Sequence, residues 1–234
     1  MECKDVKLVT LNEETIFGQY LPNYFQTELI IFVSRHESKR GIPTLSVHTS
    51  GNIWDAELGG LHRKVSISPA NSMRIALLEM TVQKEKLRLN DFNVSYECTH
   101  HGPSLDVPTM FVEVGSSLTE WKNLKAAEAV AYAAISSIVK ESTVPTVLGI
   151  GGNHVNQVFT EISLKHEIAF GHIIPKCALQ YVDSKILAQC IDRTFETVKT
   201  AILDWDGISG KDRRRLIDAL KEDRLQVKMT KEFI

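Results

Sequence analysis

The strongest constraint in this 234-residue sequence is an alternation. Short β-branched runs, punctuated by turn residues, give way repeatedly to stretches with helical spacing. Strands are predicted at Val6–Thr10, Leu29–Ser34, Thr44–His48, Val65–Ser68, Val94–Thr99, Val107–Val114 and Thr146–Ile150. Ser68-Pro69 reads as a cap followed by proline at the first helical position, opening a helix through Met73, Leu77 and Met80 toward Leu87. Ser117-x-x-Glu120 has capping-box spacing. Behind it Trp121, Leu124, Ala127, Ala131, Ala134, Ile135 and Ile138 recur at helical intervals, predicting one long helix with Trp121 and Tyr132 in the core. A further helix is expected from Asp183 through Cys190 to Val198, and another near Ser209 carrying Leu216 and Leu220. The pattern is that of an α/β protein with a mixed sheet. With no linker long enough to divide the chain, it predicts a single domain, 1–234, with a core over 1–182 and a helical C-terminal part over 183–234.

Such a length supports a core that needs no staple. The four cysteines, Cys3, Cys98, Cys177 and Cys190, are scattered without a Cys-x-x-Cys pair, so no disulfide framework or cysteine zinc knot is expected. Glu2, Lys4, Asp5 and Lys7 interrupt what would be a leader's apolar segment, and the low-charge stretch Ala126–Val139 is shorter than the ~20 residues of a membrane span. The expectation is a soluble cytoplasmic monomer. A formal charge of -2 argues against a chain that wraps nucleic acid, since phosphate binding leaves a basic footprint.

Histidine placement breaks this ordinary pattern. His36, His48, the pair His100-His101, and His154 each fall just after or at the end of a predicted strand. In open α/β sheets ligands bind beyond the carboxyl ends of strands, so such residues can converge on one pocket. Glu97-Cys98-Thr99-His100-His101-Gly102-Pro103 combines a carboxylate with two imidazoles, groups suited to zinc. Gly149-Ile150-Gly151-Gly152-Asn153-His154 matches neither dinucleotide nor P-loop patterns and reads as a tight turn that presents His154. Glu113 lies opposite Val112 and Val114 on an extended chain. If those valines are in the core, Glu113 reaches solvent or lines a cleft as a base or as the partner of a ligating histidine.

Together these segments resemble the archaeal and plant-type D-aminoacyl-tRNA deacylase family. The resemblance rests on Ser34-Arg35-His36-Glu37-Ser38, Val47-His48-Thr49-Ser50-Gly51-Asn52, Gly59-Gly60, the Glu97–Pro103 segment, Phe111-Val112-Glu113-Val114-Gly115-Ser116-Ser117, the glycine loop with His154, and Gly171-His172-Ile173-Ile174-Pro175-Lys176. Val155 departs from the family's usual tyrosine. The resemblance implies a phosphorylase/hydrolase-like or peptidyl-tRNA-hydrolase-like fold, zinc as cofactor, and hydrolysis of the ester joining a D-amino acid to the terminal adenosine of tRNA. Toward that reaction, His100, His101 and His154 are the expected zinc ligands, with Glu97 as a fourth. Glu113 and His101 are the expected catalytic groups. Arg35, His36, His48, His172 and Ser116 would meet the aminoacyl group, the adenosine or phosphate.

Two other readings use the same residues: a zinc-dependent amidohydrolase or peptidase acting on small acylated amino acids, and a noncatalytic module binding a tRNA end or nucleotide. A tRNA partner, with no DNA or membrane contact, needs only a local basic surface. One is available: between Gly207 and Lys228 seven basic residues face four acidic ones, with Lys211, Arg213, Arg214 and Arg215 at its start.

Overall fold

The computed structural model describes residues 6–234, so Cys3 and most of the segment read against a leader lie outside the described residues. In chain order the elements are β1 (Ile30–Glu37), β2 (Thr44–His48), α1 (Ala70–Leu87), β3 (Asn93–Glu97), β4 (Thr109–Ser116), α2 (Leu118–Trp121), α3 (Leu124–Val139), β5 (Thr146–Ile150), β6 (Val155–Asn156), α4 (Gln157–Lys165), β7 (Ala169–Ile174), α5 (Ser184–Asp192), β8 (Val198–Leu203), α6 (Gly210–Glu222) and β9 (Gln226–Met229). Among the described residues no helix is long and apolar enough to cross a membrane.

The strands form two sheets. The first is mixed, in the order β1-β4-β2-β3-β6, and the second runs β7-β5-β8-β9 with every pair parallel. Leu45, Val47, Met110 and Val112 from the first sheet join Met73, Leu77, Phe159, Phe170 and Ile202 in a core that unites both sheets with α1 and α4. A second core lies beneath α5 and α6, where Ile150, Leu187, Leu203, Leu216 and Leu220 meet.

Several expectations change. Residues Val6–Thr10 form no strand and are exposed, and Val65–Ser68 supplies only isolated bridges. The long helix expected after Ser117 is two helices: Ser117 and Glu120 close a capping box on the single turn of α2, and Asn123 restarts the chain by accepting from Lys125 and Ala126 N–H. The face of α3 that packs inward carries Ala126, Ala129, Val130 and Ala133, small enough for close approach to α1. Leu124, Tyr132 and Ile135 therefore point outward, with Tyr132 47% exposed. The helix from Asp183 stops at Asp192, and Val198 instead opens β8, so 183–234 adds two strands to the second sheet and is not helical alone. At α1, Ser68 is not the cap; the distant Glu196 carboxylate takes the Ala70 and Asn71 N–H groups, at 3.0 and 2.8 Å.

Candidate active site

Strand periodicity builds the site. The register pairs Ser46 with Glu113 and with Ser95, and His36 with Gly115. Because side chains alternate faces, His36 from β1, Glu113 from β4, His48 from β2 and Glu97 from β3 project from one face of the first sheet. The ladder between β2 and β3 continues in the Ser50–His100 bridge, which carries His100 and His101 to the same rim. His154 arrives from the other sheet. It follows β5, whose neighbours β7 and β8 lie on opposite sides, a switch point at which α/β sheets open a crevice.

Glycines set the turn. His101 takes φ +41, and behind it a Cβ on Gly102 would stand 2.2 Å from the Gly60 backbone nitrogen. Gly59-Gly60 and Gly102 thus let two loops touch and hold the His100-His101 turn against a rigid wall. The glycine loop after β5 is a turn as expected: Gly151 and Gly152 have φ +112 and +72, and the Asn156 amide bonds the Gly151 carbonyl while its oxygen caps α4.

Hydrogen bonding fixes which imidazole nitrogen is available. Nδ1 of His48, His100 and His101 lies 3.1, 2.8 and 2.7 Å from the carbonyls of Thr49, Cys98 and Gly102. A carbonyl only accepts, so each Nδ1 carries the proton and each neutral ring keeps its lone pair on Nε2. The His48 Nε2 lies 3.6 Å from Glu113 Oε2. Glu97 is the hub: Oε2 stands 2.8 Å from His154 Nε2 and 3.7 Å from His100 Nε2, and Oε1 stands 3.0 Å from His36 Nδ1.

Charge follows this geometry. Burial alone would raise the Glu97 carboxyl, yet the bonds to His154 and His36 and the surrounding imidazoles hold it well below the usual carboxylate range. Burial also opposes a charge on His154, but Cys98 and Glu97 outweigh it and lift this imidazole to about 10. His36 and His48 rise against burial through Glu97 and Glu113 respectively. His101 falls to about 4 through burial and the neighbouring His48, and His100 falls well below its usual value through burial and its three histidine neighbours. His100 and His101 are thus held as neutral lone-pair donors, beside His36, His48 and His154, whose charged forms their neighbours favour.

Some of the buried polar atoms without a hydrogen-bond partner fall here. Among the described residues His36 Nε2, Ser46 Oγ and His48 Nε2 lie on this face, while Ser68 Oγ, Arg74 Nε and Ser116 Oγ lie elsewhere. Each such atom costs ~1–3 kcal/mol when nothing satisfies it, so those on this face mark a place built to receive a polar or cationic ligand. Donor sets with ligand atoms within 4.8 Å of one another are His48/His100/His101, Cys98/His100/His154, His36/Glu97/His154 and His48/Glu97/Glu113.

Not every predicted residue reaches this cluster. Arg35 alternates to the opposite face of β1, where it pairs with Glu14 at 2.7 Å and lies over Trp121. His172 is fully buried behind the site. Its Nε2–H donates to the Arg193 carbonyl at 3.2 Å, and its Nδ1 accepts from Thr99 Oγ1 at 3.1 Å, while burial pushes it down to about 4. On α6, Arg213 lies over Trp205 and bonds its carbonyl, and Arg215 bonds the Val182 and Leu179 carbonyls; Lys211 and Arg214 are exposed. Sequence reasoning missed Cys98 as a member of the cluster, 3.6 Å from His154 Nδ1, and Arg193, which clamps the Val65 and Leu105 carbonyls. Strand alternation placed Cys98 and His100 on the same side and could have flagged the cysteine. Arg193 had no local signal.

Fold and site define an α/β protein with a histidine–carboxylate centre at the meeting of two sheets. Its residues 11–228 match the family described as D-aminoacyl-tRNA deacylase. Similar proteins include the D-aminoacyl-tRNA deacylase of Pyrococcus furiosus, 37% identical over 222 residues that cover 91% of this chain and 80% of that protein. The D-aminoacyl-tRNA deacylase of Thermococcus kodakarensis is 38% identical over 221 residues, covering 90% and 79%. A crystal structure of a conserved protein of unknown function superposes with a TM-score of 0.88 at 29% identity, covering 94% of this chain and 79% of that one. The chain belongs to the D-aminoacyl-tRNA deacylase family.

Proposed function

We propose that this protein hydrolyses the ester of D-aminoacyl-tRNA, releasing free tRNA and a D-amino acid, as a monomer acting on the acceptor end in the cytoplasm. The observation that carries the reading is the convergence of His36, His48, Glu97, His100, His101, Glu113 and His154, drawn from both sheets, on one rim. In the reaction the oxygen of water bonds to the ester carbonyl carbon, the bond to the ribose oxygen breaks, and that oxygen takes a proton. The His48–Glu113 pair stores the proton between these events, because the carboxylate raises the proton affinity of its imidazole. Ionised Glu97 orients His36 and His154. Glu113 and His48 are both buried, and Glu113 acts on the reaction by favouring the charged form of His48.

The donor chemistry fits zinc: neutral Nε2 atoms on His100 and His101, with His154, surround orphaned buried polar atoms. Zinc bound there supplies Lewis acidity toward the ester carbonyl. Lys211, Arg214, Lys221 and Arg224 of the basic patch are exposed and offer phosphate contacts, whereas Arg213 and Arg215 bond backbone carbonyls and stabilise the fold.

The test is deacylation of matched D- and L-aminoacyl-tRNA, with and without chelator. The reading expects turnover of the D-ester, little of the L-ester, and loss on chelation restored by zinc. Equal hydrolysis of both hands, or cleavage of N-acyl amino acids in preference to tRNA esters, contradicts it.

A further inference from the structure

Cys98 has no part in the hydrolytic reading above, yet it stands inside the cluster. It is buried in β3's extension beside Glu97, and its Sγ lies 3.6 Å from His154 Nδ1. With zinc–sulfur and zinc–nitrogen bonds of about 2.3 and 2.05 Å at tetrahedral angles, a sulfur and a nitrogen bound to one ion stand roughly 3.5 Å apart. The observed spacing therefore matches two ligands of a single ion. His100 adds a third donor, all three ligand atoms lying within 4.8 Å of one another.

The remaining nitrogen of His154 supplies an independent observation. Nε2 stands 2.8 Å from the fully buried Glu97 Oε2. Histidines that bind metal through one nitrogen characteristically donate the other N–H to a carboxylate, which fixes the ring and raises its donor strength. Glu97 is thus placed to orient a ligand through Nε2, which leaves Nδ1, the atom facing Cys98, to bind. The His154 side chain is 47% exposed, so the position opens to solvent on one side.

We infer that Cys98 thiolate, His100 and His154 Nδ1 form a three-ligand zinc position with one open coordination place, and that Glu97 supports it from behind instead of ligating. The inference rests on the hydrolytic reading only for the choice of metal. A thiolate selects zinc or cobalt(II) over magnesium, manganese and calcium, whose preferred donors are oxygens. It adds Cys98, which is outside the ligand set expected from sequence, moves Glu97 from ligand to support, and leaves His101 outside the ligand shell.

The test is X-ray absorption of the zinc-loaded protein at the zinc edge, together with the visible and near-ultraviolet spectrum of the cobalt(II) form. The inference expects a sulfur scatterer at about 2.3 Å and a thiolate-to-cobalt charge-transfer band that Cys98→Ser abolishes while Cys177→Ser, at an exposed cysteine, retains it. Zinc retention should fall at least tenfold in Cys98→Ser and ten- to hundredfold in Glu97→Gln. A shell of nitrogen and oxygen alone, or no bound zinc, overturns the inference, and the absorption measurement needs no variant that must fold. Deacylation by the same preparations separates the two claims: turnover with no sulfur ligand removes Cys98 alone, and a sulfur ligand without turnover removes the hydrolytic reading alone.

Discussion

His154 and Glu97 face each other at 2.8 Å across the junction of the two sheets, an exposed imidazole held by a carboxylate with no exposure of its own. The pairing fixes the ring and, together with Cys98, favours its protonated form. Glu97→Gln keeps shape and removes charge. In metal-free protein, NMR titration should move His154 from about 10 in the wild type down toward the ordinary imidazole range. Deacylation should drop ten- to hundredfold. An unshifted His154 would show that the carboxylate does not set its charge.

His48 and Glu113 are coupled differently: their atoms are 3.6 Å apart and buried together. If they act as one proton-handling unit, His48→Ala and Glu113→Gln should each lower kcat/KM about a hundredfold, and the double variant should be scarcely worse than either. Additive losses in such a cycle would mean that the two residues work independently.

His172 gives a pH prediction for stability. Its folded value is about 4 against an unfolded value near 6.5. Above pH 6.5 neither state binds the proton, and below pH 4 both do. Between these limits only the unfolded chain is protonated, so the stability held above pH 6.5 is lost as pH falls toward 4. The loss attributable to His172 amounts to about 3 kcal/mol. His172→Gln should be less stable at pH 7 but should flatten this acid slope, measured by urea unfolding from pH 7 to 4. An unchanged slope would assign the acid sensitivity to other groups.

The arginines of α6 should separate by role. Arg215, bonded to the Val182 and Leu179 carbonyls, should on change to Ala lower Tm with little effect on the salt dependence of tRNA binding. Lys211→Ala with Arg214→Ala should leave Tm unchanged and reduce the slope of log K against log salt by ~0.7–0.9 for each phosphate no longer neutralised. The opposite division would put the tRNA-binding surface on the inner arginines.

Gly102 offers a steric test. Its added Cβ would meet the Gly60 backbone nitrogen at 2.2 Å, and neither loop can yield without moving His101. Gly102→Ala should destabilise the protein by roughly 2 kcal/mol or more and reduce activity, while Gly41→Ala, with no neighbour within 4 Å, should spare activity.

Much of the site was legible because strand ends are marked locally. Thr44–His48 and Thr146–Ile150 read as strands and are strands, and period-two alternation put Glu113 opposite Val112. The same rule, carried from His36 to Arg35, separates those neighbours onto opposite faces. What was illegible depended on distant partners. β7 and β8 are sheet strands through pairing with β5, and Glu196 caps a helix 125 residues earlier. The α3 stripe misled because apolar spacing identifies a face without saying whether bulk or close approach decides what is buried. There the alanine and valine side won.

The proposed role of the clustered histidines in ester hydrolysis has a decisive measurement. Single-turnover release of a D-amino acid from D-aminoacyl-tRNA, compared among wild type, His100→Ala and His101→Ala with folding verified for each, tests it most directly. Each variant should fall at least a hundredfold while still binding the tRNA. Wild-type release by both variants would contradict that role.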